Sequence, residues 1–77
     1  MSSSVDKVRE LLATQLDIDE EKITANTNIA EDLDADSLDI IELMMSVEEE
    51  FGVVIAEEEV GNFKTVADVA KFIDDNT

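Results

Sequence analysis

The clearest helical pattern in the chain lies in residues 36–52, DSLDIIELMMSVEEEFG. Apolar side chains recur there at steps of three and four residues, which is the period of an α-helix. Asp36 and Asp39 have the spacing of an N-cap residue and the carboxylate that completes its cap. Gly52 suits the position after the last turn, because glycine adopts the left-handed conformation without strain. We therefore predict a helix that begins at Asp36–Ser37 and stops at Gly52.

This helix has two apolar faces. The wider face, about 100° across, is an ordinary core face. It comprises Ile40, Leu43, Met44, Val47 and Phe51. Three more apolar side chains, which we call the apolar ridge, project from nearly the opposite side: Leu38, Ile41 and Met45. Carboxylates border the ridge: Asp39, Glu42, Glu48 and Glu49. A single exposed apolar side chain is normal on a protein surface, but three aligned ones favour a docking surface for a partner with an apolar groove and a basic rim.

The rest of the chain predicts three further helical segments. A first helix is expected from Val5 to Leu16, a short turn over Glu57–Val60, and a last helix after Thr65. Residues 17–35 lose the helical period and are expected to form a long loop that apolar side chains hold to the core. The predicted fold class is all-α: a small four-helix bundle with three longer helices and one short helix. The length allows a single domain, residues 1–77.

Composition excludes several functions. The 77 residues hold 5 Lys and Arg against 21 Asp and Glu, so the net charge is 5 − 21 = −16, and there is no Cys or His. Without thiol or imidazole the chain lacks the usual nucleophile, neutral-pH base and transition-metal ligands, so we expect no self-sufficient enzyme and no metal site. The charge repels nucleic acid and anionic lipid and favours basic partners. With no secretory signal or apolar run of membrane-spanning length, we expect no stable membrane insertion and a cytoplasmic or organelle-matrix location, any transit peptide having been removed.

The alternating aspartates Asp32, Asp34 and Asp36 invite a calcium-loop interpretation. If Asp32 is position one of an EF-hand loop, the glycine required at position six is replaced by Ser37. The bidentate glutamate at position twelve is replaced by Leu43. Loose divalent binding stays open, but a dedicated calcium switch is not predicted.

Ser37 is the remaining candidate for chemistry. A serine nucleophile needs a base, and neither His nor Cys occurs in the chain. Judged by position alone, a serine at a helix start is most often only a cap.

The residues around Ser37 change this interpretation. The segments EDLDADSLD (31–39), ELM (42–44) and EEEFG (48–52) resemble the acyl carrier proteins of the dissociated fatty-acid synthase, and the resemblance covers nearly the whole chain. It implies that Ser37 carries 4′-phosphopantetheine, donated from coenzyme A. It also implies that acyl intermediates of fatty-acid biosynthesis are held as thioesters on the terminal thiol of that group, so the chain itself needs no Cys.

The resemblance also gives roles to both faces of the second helix. It implies that phosphopantetheinyl transferase and the basic patches of synthase enzymes are engaged by Asp36, Leu38, Asp39, Ile41, Glu42, Met45, Glu48 and Glu49. It implies an acyl pocket lined by Ile29, Leu43, Val47, Ile55, Val60 and Phe63, which plain core packing would explain as well. We expect a monomer. Carriers of polyketide or aminoacyl groups share the modified serine, and a pure interaction or divalent-binding module is the alternative without a covalent cofactor.

Three positions depart from the family pattern. Asp34 stands where glycine is common, which predicts a positive φ at a residue that tolerates one better than most. Ala56 replaces proline or another cap-like residue, which predicts a weakly anchored short helix. Phe63 is bulkier than the usual aliphatic residue and is expected to shorten the pocket.

Overall fold

The structure, a computed structural model, describes residues 3–77 and contains four α-helices. They are α1 (Ser4–Leu16), α2 (Ser37–Phe51), α3 (Glu57–Val60) and α4 (Val66–Asn76). This confirms the predicted all-α bundle of three longer helices and one short one. Within residues 3–77 the only β-type pairing is an isolated antiparallel bridge between Asn28 and Thr65. No helix in this part of the chain has the length and apolar character needed to cross a bilayer.

The start of α2 is fixed by a complete capping box. Asp36 accepts a hydrogen bond from the Asp39 amide at 3.0 Å, and Asp39 accepts one from the Asp36 amide at 3.2 Å. The helix ends at Gly52, whose φ of 67° is the left-handed conformation. Both ends of α2 therefore lie where the sequence predicts them. This is because each end is set by residues adjacent to it in the sequence.

The start of α4 uses a second capping box, between Thr65 and Asp68. The Asp68 carboxylate accepts hydrogen bonds from the Thr65 and Lys64 amides, each at 3.1 Å. These backbone hydrogen bonds lower the pKa of the Asp68 carboxyl, so it stays ionised beside the positive end of the helix. α3 has no such cap: Ala56 precedes it without a side-chain hydrogen bond, as expected for a weakly anchored turn.

The core lies where α1 packs against α4 and α2. The predicted core face of α2 divides into three buried residues, Leu43, Met44 and Val47, and two half-buried ones at its ends, Ile40 and Phe51. The largest fully buried side chains come from all three long helices and the α1–α2 loop: Val8, Leu12, Ile23, Ile29, Leu43, Val47, Val66, Val69 and Ile73. Burying each one contributes about 1.5–3 kcal/mol.

The loop from α1 to α2 is held to the core as expected, but it also contains a 3-10 turn at Glu20–Lys22 that the sequence did not predict. Arg9 of α1 donates to the Ile23 carbonyl at 2.6 Å and to the Glu20 carbonyl at 2.9 Å. The Arg9 guanidinium thus stabilises this turn through contacts between residues that are more than ten positions apart in the sequence. The expected positive φ at Asp34 is confirmed at 53°.

The excess negative charge makes a prediction about stability. The molecule measures 30 × 27 × 19 Å, so at about 10 mM salt, where the Debye length is about 30 Å, its carboxylates repel one another across the whole fold. At about 150 mM salt the Debye length falls to about 8 Å and most of this repulsion is screened. We expect the melting temperature to rise by about 5 °C or more between these conditions, since about 1 kcal/mol corresponds to about 4–8 °C in a domain of this size. Scanning calorimetry tests this, and a melting temperature independent of salt would contradict it.

Candidate functional site

Ser37 is the first residue of α2 and its side chain is exposed. The helix is capped by Asp36, so the alternative that Ser37 is only the cap is wrong. The side chain of Ser37 is not used in this cap, and its exposure leaves the hydroxyl oxygen accessible to an incoming group. The geometry suits a residue that is modified rather than one that catalyses, because no His or Cys is available to activate it.

An open groove of about 430 Å³ lies beside Ser37. Its apolar side chains come from the loop before α2, from α2, from the end of α3 and from the segment before α4: Ala30, Ile40, Ile41, Val60 and Phe63. Phe63 is held by an edge-to-face contact with Phe72, with the ring centroids 5.5 Å apart. An exposed hydroxyl at the mouth of a largely apolar groove fits attachment of a long flexible group.

A second groove of about 380 Å³ lies between α2 and α3. It shares Ile41 and Val60 with the first groove and adds Met44, Met45 and Ile55. Six residues were predicted to line an acyl pocket. Three of them line one or both of these grooves: Ile55, Val60 and Phe63.

The other three predicted pocket residues are deep in the core. Ile29 is 1% exposed, and Leu43 and Val47 are 0% exposed. They can line a pocket only if the core parts, which costs their packing contacts unless an acyl chain replaces them. The six-residue pocket stays a prediction.

The apolar ridge is exposed as the helical period predicts. Leu38 is 61% exposed, Ile41 48% and Met45 57%. Val54, in the loop after α2, is also exposed. The sequence did not predict this, because the residues around Val54 show no helical or strand periodicity. The docking role of the ridge stays a prediction.

The carboxylates predicted to bind partners fall into two groups. Glu42 and Glu49 are exposed beside the ridge. Asp36 and Asp39 cap the helix, and Glu48 accepts a hydrogen bond from the Ile55 amide at 3.0 Å. Glu48 therefore tethers the loop that leads into the uncapped α3. Replacing Glu48 with lysine removes this hydrogen bond, because a lysine side chain has no acceptor.

The divalent-ion alternative depends on how the acidic side chains are placed. Within residues 3–77 no group of three or more Asp or Glu side chains is placed to hold a metal ion. The Asp32 carboxylate instead accepts a hydrogen bond from the Asn28 amide at 2.8 Å, within the loop. At least one of the alternating aspartates thus has a structural partner.

Comparison with known proteins agrees with this site. Residues 6–73 match the family model described as a phosphopantetheine attachment site. The chain is 51% identical over 72 residues to an acyl carrier protein of Thermosynechococcus vestitus, a match that covers 94% of this chain and 89% of that protein. It also resembles a solved structure of the acyl carrier protein from Enterococcus faecalis, with a TM-score of 0.81, 31% identity, and coverage of 96% of this chain and 94% of that one.

The family match includes all of α2 and α3, most of α1 and α4, and the segment that contains Ser37. The matches explain how a chain without Cys or His takes part in acyl chemistry: the reactive thiol belongs to the prosthetic group. The chain therefore belongs to the acyl carrier proteins, which are carriers rather than catalysts and hold the acyl intermediates of fatty-acid biosynthesis on 4′-phosphopantetheine.

Proposed function

We propose that Ser37 is the residue that carries 4′-phosphopantetheine and that acyl groups are held as thioesters on the thiol of this group. The observation that carries the proposal is the contrast between two serines. Residues 6–73, which match the family model, contain two serines, Ser37 and Ser46. Ser37 is exposed at the helix start beside the first groove, whereas Ser46 is half-buried in the middle of α2. A transferase can approach the first hydroxyl without disturbing the helix.

The Ser37 hydroxyl supplies the nucleophile for the attachment. Its oxygen forms a bond to phosphorus as a phosphorus–oxygen bond in the diphosphate of coenzyme A breaks, and adenosine bisphosphate leaves. The hydroxyl proton passes to a base. This chain offers neither an imidazole nor a thiolate as the base, and we propose that the base belongs to the partner, a phosphopantetheinyl transferase.

The outward face of α2 supports a docking role for this transferase and for synthase enzymes with basic patches. The exposed ridge supplies apolar contact, and Glu42 and Glu49 supply charge that steers basic partners. Asp36, Asp39 and Glu48 contribute negative charge as well, but each also holds part of the fold. Contact with a partner thus falls mainly to the ridge and the two free glutamates.

We further propose that residues 1–77 are one acyl-carrier domain that acts as a monomer, in the cytoplasm or an organelle matrix. The single core shared by the three long helices supports one domain. An acyl chain is proposed to enter through the grooves at Ile55, Val60 and Phe63 and to reach Ile29, Leu43 and Val47 as the core parts.

Mass spectrometry tests the attachment site. The unmodified protein is incubated with a phosphopantetheinyl transferase, coenzyme A and Mg²⁺, and its intact mass and fragment spectra are recorded. We expect one phosphopantetheinyl group per chain, on the fragment that contains Ser37. No gain in mass, or a group located on Ser46, would refute the proposal.

A further inference from the structure

Lys64 is the one cation that lines the groove beside Ser37. The chain has only 5 Lys and Arg residues, and none lies between Ile23 and Phe63. The other charged residue in the lining is Glu31, which is negative. Lys64 is therefore a positive charge in a largely negative part of the surface, and its location asks for a physical reason.

The fold holds the backbone of Lys64 in two places. Its carbonyl accepts a hydrogen bond from the Ile29 amide at 2.9 Å, and its amide donates to the Asp68 carboxylate at 3.1 Å. Its side chain is exposed. The two salt bridges within residues 3–77 involve other cations, Lys7 and Arg9. The Lys64 ammonium group forms no salt bridge there, and its charge acts on the Asp68 carboxyl only as a minor cause of that group's lowered pKa.

A phosphodiester at Ser37 meets an unfavourable charge environment. Asp36 and Asp39 flank it, Glu31 lies in the same groove, and the chain already has a net charge of −16. The helix start offers less compensation than usual, because the capping box already occupies the amides of Asp36 and Asp39. The anion therefore gains from a nearby cation.

We propose that Lys64 is the counter-ion of the phosphodiester at Ser37 and holds the first part of the prosthetic group against the groove. The proposal rests on attachment at Ser37. Both residues line this groove, because the Ile29 amide donates to the Lys64 carbonyl and a bridge between Asn28 and Thr65 joins the loop before α2 to the segment before α4. The ammonium group offsets the negative charge of the phosphodiester, which lies among several carboxylates.

A thermodynamic cycle isolates this interaction. Melting temperatures are measured for the unmodified and the phosphopantetheinylated protein, in the wild type and in Lys64→Gln, Lys64→Arg and Lys71→Gln. Lys71 is the matched control, because it is an exposed lysine on α4 that does not line this groove. Mass spectrometry first establishes complete modification at Ser37 in every variant.

We expect modification to lower the melting temperature of Lys64→Gln by about 2–4 °C more than that of the wild type, the size of one partly exposed ion pair. Lys64→Arg and Lys71→Gln should behave as the wild type, and the difference should disappear at about 1 M salt. The ³¹P resonance of the phosphodiester should shift in Lys64→Gln and not in Lys71→Gln.

Two outcomes overturn the proposal, and they are distinguishable. A prosthetic group that does not reside on Ser37 removes the proposed function and this inference together. Complete modification at Ser37, with equal effects of Lys64→Gln and Lys71→Gln on both the melting temperature and the ³¹P resonance, removes this inference alone.

Discussion

Replacing Ser37 with alanine is expected to abolish phosphopantetheinylation and, with it, all acyl loading. The chain contains no Cys, so the only thiol available for a thioester belongs to the prosthetic group. Removing the attachment oxygen therefore removes the function in one step, with no residual activity from a second site. Intact mass spectrometry after incubation with transferase, coenzyme A and Mg²⁺ measures the first loss, and an acylation assay measures the second.

The loss should not come from unfolding. The capping box of α2 is formed by Asp36 and Asp39, so the Ser37 side chain makes no contribution to it. An exposed position in the first turn accepts alanine with a change in unfolding free energy within about 0.5 kcal/mol. Circular dichroism and melting of Ser37→Ala should match the wild type.

Ser46→Ala is the matched control for this experiment. It removes the other serine of α2, which is half-buried, and should accept the prosthetic group as the wild type does. Continued modification of Ser37→Ala, or loss of modification in Ser46→Ala, would contradict the assignment.

Local features of the sequence predicted most of the fold. The ends of α2 depend on Asp36, Asp39 and Gly52, which act on neighbouring backbone, and the same holds for Thr65 and Asp68 in α4. Helical period alone also predicted the exposed ridge. Such features can be read from a single sequence because each cause lies within four residues of its effect.

Features that depend on distant contacts were not predictable in this way. The 3-10 turn at Glu20–Lys22 is held by Arg9, and the hydrogen bond from Ile55 to Glu48 depends on how the loop after Gly52 folds back. Glu48 therefore resembled a free surface carboxylate in the sequence. The placement of Lys64 and Ser37 in the lining of one groove likewise depends on pairing between two loops.

The acyl pocket shows a different limit. Ile29, Leu43 and Val47 have the same aliphatic character whether they fill a core or surround a ligand. Which of the two they do depends on the free energy of separating the helices, and sequence pattern carries no information on that quantity. Ile55, Val60 and Phe63 line surface grooves, and the six-residue pocket stays a prediction.

Reversing the charge of Glu42 or Glu49 to lysine is expected to weaken binding to a basic synthase enzyme about tenfold each at low salt. A reversal replaces an attraction with a repulsion at the rim of the docking surface, and tenfold corresponds to about 1.4 kcal/mol. Both glutamates are exposed beside the ridge. Since they lie seven residues apart on one helix, about 10 Å, the double variant should lose about a hundredfold.

A control variant and the dependence on salt distinguish an effect of local charge on α2 from an effect of net charge. Asp75→Lys makes the same change in charge on α4, away from the ridge, and should bind nearly as the wild type does. If docking depends on local charge, the α2 reversals should approach the wild-type affinity at about 1 M salt, where the Debye length is about 3 Å, while the apolar ridge continues to contribute. Dissociation constants from titration calorimetry over a range of salt provide the measurement. An equal loss in Asp75→Lys would show that only net charge matters, and unchanged affinity in Glu42→Lys and Glu49→Lys would show that partners dock elsewhere.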